Sequence, residues 1–486
     1  MYTSASMIKR GGAGRGYVLA RASADLEAGG DDANQLDAPV MDDQALARRV
    51  LPAVLVATLG AFSFGYHLGI VNPALEHIAR DLGIAADAQL KGLVVSVILV
   101  GATVGSLVAG KLADAYGRKT ALMAVAVPLL VGSILCACAP VVSVMLIGRL
   151  LAGLGIGACS NLVPMYISEI APEKARGTLG SLNQLMICIG ILVAVVAGLP
   201  LANDPNHWHG MFLFGAVPAA AQFFLMSVVP ESPGWFRRRG DVVAAEAAET
   251  ALWGAPDATA ADSDVGDDKG EKEASFAELF APANRKQIVV GTSLFFLQQM
   301  SGINAVIYFS SSMFASAGVT NAVAASVGVT AINVFGTIIS GHFLDRMGRK
   351  PLLIGSFLGM AASCVVIAAA MSSTATFAGA VAVAGTLAYM VSFGIGCGPI
   401  PGLLSSEIFS PRVKGSGMSL CLFTHWVFNF VIGQAFLPVV EAVGGPAVFV
   451  GFGCVCVAAA LFVQTRVLET KGKTLDAIQR EMLALD

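Results

Sequence analysis

The sequence predicts an all-α polytopic membrane protein with twelve transmembrane helices in two pseudo-symmetric six-helix bundles. Three observations carry that fold class. Hydrophobic residues make up 56% of the chain and charged ones 13%, with a mean hydropathy of +0.73. The charges gather in short segments between apolar stretches of about 20 residues, the length that crosses a bilayer core. A ten-residue stretch is also written twice: Gly110-Lys111-Leu112-Ala113-Asp114-Ala115-Tyr116-Gly117-Arg118-Lys119 and Gly341-His342-Phe343-Leu344-Asp345-Arg346-Met347-Gly348-Arg349-Lys350. Finally, two further pairs follow in the same order. Ser168-Glu169-Ile170 with Arg176-Gly177 is matched by Ser406-Glu407-Ile408 with Lys414-Gly415, and Pro230-Glu231-Ser232-Pro233 by Leu468-Glu469-Thr470-Lys471. One copy alone reads as a charged turn between helices. Three ordered pairs make two homologous halves.

Residues 1–49 are polar and hold no span. Up to Ala24 they carry Lys9, Arg10, Arg15 and Arg21 but no acid, and they lack the apolar core of a secretory signal. Two readings stay open, an organellar transit peptide or a cytosolic tail. Acidic residues from Asp25 to Asp43 read as solvated linker on either view. Gly11-Gly12-Ala13-Gly14 is compositional and no phosphate loop.

The first bundle, 50–230, holds apolar spans at roughly 51–75, 91–112, 120–140, 142–165, 178–201 and 210–229. The central loop, 231–285, is hydrophilic, with an amphipathic helix expected over Val242 to Leu252 and a flexible acidic run from Asp257 to Glu273. The second bundle, 286–467, holds spans at roughly 287–309, 322–344, 351–371, 377–404, 415–438 and 446–466, and 468–486 is a tail. One set of loops carries Lys111, Arg118, Lys119, Arg237, Arg238, Arg239, Arg349, Lys350, Arg412 and their neighbours, while the opposite set carries only Arg80 and Lys91. The positive-inside rule then puts the repeated motifs, both termini and the central loop on the cytoplasmic side or its topological equivalent. The net charge of −3 says nothing about partners, because one acidic loop sets its sign.

Within the spans, Gly153-Leu154-Gly155-Ile156-Gly157 supplies small residues for close helix packing. Around Pro399 and Pro401 a helix loses backbone hydrogen bonds, and side chains or a wet cavity must replace them. The nine cysteines lie in apolar runs without metal-ligand spacing and read as small packing residues. No cofactor, metal or nucleic acid is expected. An integral-membrane enzyme is disfavoured for want of a nucleophile–base pair.

Polar residues inside the spans carry the functional signal, since an unpaired amide in hydrocarbon costs several kcal/mol. They are Gln184 in the fifth span, Gln298, Gln299 and Asn304 in the seventh, Asn333 in the eighth, and Trp426 and Asn429 in the eleventh. Singly, each reads as interhelical glue. Together they offer neutral donors and acceptors, with a ring to stack on, suited to a poly-hydroxyl solute. Arg149 is the strong cation inside a span and needs a partner or a wet cavity. Glu169 and Arg176, with Glu407 and Lys414, join Asp114, Arg118, Asp345 and Arg349 as charges expected to form a breakable clamp between the halves. Exposed pairs of this kind contribute under about 1 kcal/mol, enough to bias a nearly balanced protein.

The duplicated loop, Glu231-Ser232-Pro233, Gln298-Gln299-Met300-Ser301-Gly302-Ile303-Asn304 and Glu469-Thr470-Lys471-Gly472 resemble the sugar porter family of the major facilitator superfamily, over about 50 to 470. Within it, Gly65-Tyr66-His67-Leu68-Gly69-Ile70-Val71-Asn72 followed by Ala74-Leu75-Glu76 resembles the plastidic glucose translocators. The resemblance implies inverted three-helix repeats, a midplane sugar site and alternating access. It also implies sugar contacts at Gln184, Gln298, Gln299, Asn304, Asn333, Trp426 and Asn429, and a home in the chloroplast inner envelope, with the plasma membrane as the alternative. Oligomeric state is left open, a monomer being compatible.

Three residues depart from the family pattern. His67 stands where proton-coupled members place an aspartate facing the arginine that matches Arg149. Gly394 replaces a glutamate, and Gly402 a tryptophan, of facilitative glucose carriers. A second positive charge beside Arg149 is unfavourable, so His67 is expected to stay neutral and transport to be facilitative. A proton–sugar symporter is the rival, because histidine is the side chain best suited to titrate near neutral pH. A non-transporting sugar sensor is the more distant one.

Overall fold

The computed structural model describes residues 43–172, 175–254, 276–410, 412–473 and 475–484. The N-terminal stretch read as transit peptide or tail, up to residue 42, and the acidic run of the central loop lie outside them. The described chain is helical. Among its residues, eleven helices are long and apolar enough to cross a membrane. The remaining span, the seventh, is split.

The second to sixth spans are Ala88–Tyr116, Arg118–Ala137, Val142–Ile170, Arg176–Ala197 and His207–Met226. Their counterparts, the eighth to twelfth, are Ala322–Met347, Arg349–Ser372, Ala378–Ile408, Lys414–Val443 and Gly445–Arg466. The first span begins at Asp43, earlier than Leu51, and runs as Asp43–Ala57, Leu59–Gly69 and Val71–Asp81. Pro52 sits inside its first segment. The seventh runs as Arg285–Met300 and Ile303–Ser316, broken at Gly302, whose φ of 92° is left-handed. An L side chain disfavours that conformation, and a Cβ there would also strike the Phe452 ring. The tenth loosens into a π-turn at Phe393–Cys397 before Pro399, where hydrogen bonds were expected to fail. In the central loop, Val242–Trp253 is the expected helix, capped by Asp241, whose side chain accepts from the Ala244 N–H at 3.1 Å.

Glycines bring the second and fourth spans together: a Cβ on Gly153 would lie 2.1 Å from the Ile98 carbonyl oxygen. All nine cysteines are free, and all but Cys138 and Cys454 are buried.

Hydrogen bonds between the halves fall in two places among the described residues. At the end away from the repeated motifs, Asn72 of the first span donates to the Ile307 carbonyl at 2.6 Å and to Ser310 Oγ at 2.7 Å, and its Oδ1 accepts from the Ser311 N–H at 3.1 Å. Beside it, Ser96 Oγ donates to Gln434 Oε1 at 2.9 Å, and Gln434 Nε2 to the Gln89 carbonyl at 3.0 Å. In mid-membrane, Cys188 of the fifth span meets Thr337 Oγ1 of the eighth at 3.3 Å. The molecule is latched at the end of the bundle away from the repeated motifs.

Candidate functional site

The repeated motifs build one constellation twice. In the first half, Gly117 (φ 95°) turns the chain so that the third span begins at Arg118, and the Glu231 carboxylate accepts from the N–H groups of Arg118 at 2.9 Å and Lys119 at 3.0 Å. In the second, Gly348 (φ 88°) does the same, and Glu469 accepts from Arg349 and Lys350, each at 3.0 Å. A carboxylate thus caps each helix at its electropositive end. Arg118 pairs with Glu169 at 2.9 Å and Asp114 at 3.1 Å, and Arg349 pairs with Glu407 at 2.8 Å. Ser232 Oγ donates to Glu169, and Thr470 Oγ1 to Glu407 at 2.5 Å.

This corrects one expectation. Each set of charges closes within its own half, and among the described residues no ion pair joins the two sets. The halves meet towards the other end, which leaves the charges at their motif-bearing ends to pair internally. Arg176 and Lys414 are exposed at the starts of the fifth and eleventh spans. The Asp345 side chain lies outside the described residues.

The two caps differ electrostatically. Burial raises the Glu231 carboxyl above its ordinary range, against the N–H groups of Ser232, Lys119 and Arg118 and the Arg118 charge. Burial pushes Glu469 up as well, but the N–H groups of Arg349, Lys471, Lys350 and Thr470 outweigh it and hold the carboxyl low.

Midway along the bundle, the seventh and eleventh spans bring five of the seven candidate residues together. Gln298 Nε2 donates to the carbonyls of Cys397 at 2.7 Å and Gly398 at 3.2 Å, the first of which has no helical donor because residue 401 is proline. Gln299 Nε2 meets His425 Nδ1 at 2.8 Å, and Asn304 Nδ2 donates to Gln299 Oε1. Asn429 Oδ1 accepts from Tyr308 at 3.0 Å. Trp426 is buried, its ring 5.6 Å from Phe64 of the opposite half, and its indole N–H has no partner among the described residues. The other two, Gln184 and Asn333, converge from opposite halves on Cys188 Sγ, each at 3.6 Å. His425, Tyr308, Cys188 and Phe64 were missed by sequence reasoning. A histidine beside Trp426, one turn before Asn429, was the available signal.

Arg149 is fully buried and its guanidinium donates to three backbone carbonyls, Val94 at 3.0 Å, His67 at 2.9 Å and Val95 at 3.0 Å. It meets the His67 backbone, not the imidazole. The ring turns instead to Ser133 Oγ through Nε2 at 3.0 Å, while Nδ1 has no partner among the described residues. At the departures, Gly394 lets the tenth span approach Gly336 of the eighth, where a Cβ would lie 3.3 Å from its Cα. Gly402 faces open space, with nothing within 4 Å of a Cβ there.

Two duplicated bundles latched at one face, enclosing neutral amides and a buried indole, define a polytopic alternating-access carrier. The chain belongs to the sugar transporter family: the model described as "Sugar (and other) transporter" matches residues 53–482. It is 46% identical over 467 residues to plastidic glucose transporter 4 of Arabidopsis thaliana, covering 95% of this chain and 84% of that one. It is 33% identical over 454 residues to the rat solute carrier family 2, facilitated glucose transporter member 3, covering 88% and 92%. Among solved structures, the inward open conformation of the xylose transporter XylE from E. coli matches with a TM-score of 0.76 and 28% identity, over 89% of this chain and 99% of that one.

Proposed function

We propose that this sugar carrier is a facilitative hexose transporter for glucose, resident in the plastid envelope. The observation that carries the substrate class is the neutral constellation of Gln298, Gln299, Asn304, His425 and Trp426 in mid-membrane. A sugar needs many neutral hydrogen bonds and no counter-charge, and the unpartnered indole N–H is a donor awaiting one. The names of the plastidic relatives support glucose and the envelope, as does the basic, acid-free start of the chain.

Facilitative transport is favoured by the surroundings of Arg149. A carboxylate facing an arginine couples protons because gaining one breaks an ion pair. Here the guanidinium is satisfied by carbonyl dipoles that do not titrate, and protonating His67 would set two cations together in a low-dielectric bundle.

Glucose uptake into sealed proteoliposomes, with and without an imposed inward proton gradient, tests this. Uptake should equilibrate and ignore the gradient, while His67→Asp should introduce pH dependence. Accumulation above equilibrium that collapses with a protonophore would make the protein a symporter. For the envelope, a fluorescent protein fused to residues 1–45 should enter isolated chloroplasts. Its exclusion would favour the plasma membrane.

A further inference from the structure

We propose that His425 is a positioning residue that sets the direction of hydrogen bonding through the amide chain of the site. The proposal rests on the sugar-site reading above and extends it to the proton order.

The hydrogen-bond order starts at the π-turn. Carbonyl oxygens only accept, so the Cys397 and Gly398 carbonyls fix the Gln298 amide with its nitrogen towards them, at 2.7 and 3.2 Å. Gln298 Oε1 is then turned to Gln299, whose Nε2 lies 3.5 Å away and must donate. That contact is at the limit of a hydrogen bond and by itself orients Gln299 weakly. The same Nε2 lies 2.8 Å from His425 Nδ1, which supplies the strong acceptor. His425 therefore keeps a bare Nδ1 and carries its proton on Nε2. Its ring is held edge-on by Phe295 at 5.7 Å and Trp426 at 5.1 Å, so it cannot turn away without repacking both.

The order continues beyond Gln299. Its Oε1 accepts from Asn304 Nδ2, which leaves Asn304 Oδ1 as the acceptor at the end of the chain. A solute meeting that oxygen must present a hydrogen. The site so ordered selects, at one position, a hydroxyl that donates. A fluorine there can only accept and is refused. Without an acceptor at residue 425, only the weak contact to Gln298 orders Gln299 and Asn304, and the refusal disappears.

Two measurements test this. Solid-state NMR of carrier labelled with 15N-histidine in bilayers reads the proton order directly, the His425 signal being assigned by its loss in His425→Asn. A protonated Nε2 with a bare Nδ1 is expected. The other tautomer, or a ring protonated on both nitrogens at neutral pH, overturns the proposal. Transport then reads selectivity across a series of monofluoro-glucoses. The wild type should show a KM raised about tenfold or more at one position, the loss of roughly one hydrogen bond with its partner left unpaired.

His425→Asn, whose Oδ1 can stand where Nδ1 stood, should keep that refusal. His425→Leu should lose it, the raised KM falling back about tenfold to that of the other monofluoro-glucoses. A Leu variant with wild-type selectivity would make His425 a packing residue. Asn304→Ala with an unchanged KM for glucose would instead sink the sugar-site reading and its selectivity arm, while the NMR measurement would still decide the proton order.

Discussion

Gln298 gives its amide hydrogens to two carbonyls and its oxygen to Gln299, so its removal acts on both sides. Gln298→Ala should weaken sugar binding by roughly 1–3 kcal/mol, the cost of leaving buried polar partners unpaired. Equilibrium binding of labelled glucose to the purified, folded variant measures it, and an unchanged affinity would assign Gln298 to packing. This residue was legible because an amide inside an apolar run needs a reason. His425 was not, since one histidine among Thr424, Trp426 and Phe428 looks like any half-polar packing residue until Gln299 is seen against it. Nor was the partner of Arg149 legible. A cation in a span announces that it needs acceptors, but backbone carbonyls leave no trace in a sequence.

The elements repeat more faithfully than the letters do. Pro230-Glu231-Ser232-Pro233 and Leu468-Glu469-Thr470-Lys471 share a single identity, yet both place a carboxylate on a helix N-terminus and a hydroxyl on a glutamate. Their electrostatics give opposite signs with pH. The lowered Glu469 contributes stability that is present above the ordinary carboxylate range and is lost as pH falls through its lowered value. The raised Glu231 is disfavoured as an anion, and its contribution is present below that range and lost as pH rises through its raised value. At pH 7, Glu469→Gln should therefore cost more stability than Glu231→Gln, by roughly 0.3–1 kcal/mol for a carboxylate at a helix N-terminus. Thermal unfolding of both variants should show the gap closing in acid. A gap that widens there would contradict the assignment. Breaks were harder to foresee than caps: Pro399 announced the tenth-span turn, whereas the span expected over 287–309 carried no sign of a break at Gly302.

At the scale of the molecule, duplication and topology could be read directly from the chain, because twelve apolar runs and three ordered motif pairs need no tertiary information. Which face was shut could not. Conformational state depends on a balance of weak contacts between the halves, and Asn72 looked like part of a motif with no sign that it grips the seventh span. Asn72→Ala removes three hydrogen bonds there. At 0.5–1.5 kcal/mol net for each, the equilibrium should move about tenfold or more towards opening on that face. Pulsed electron–electron resonance between spin labels at the exposed Ala86 and Ala442 should then gain a longer-distance population. An unchanged distance distribution would mean that other contacts hold the face shut.

The self-contained charge constellations also bear on how the protein is made. Arg118 waits 113 residues for Glu231, so the first bundle cannot tie off until its sixth helix has left the ribosome. Once it has, nothing from beyond the central loop is needed to fasten it. The second bundle repeats the wait, 120 residues from Arg349 to Glu469. The contacts of Asn72, Gln434 and Cys188 need both bundles, so they can close only once both have been made.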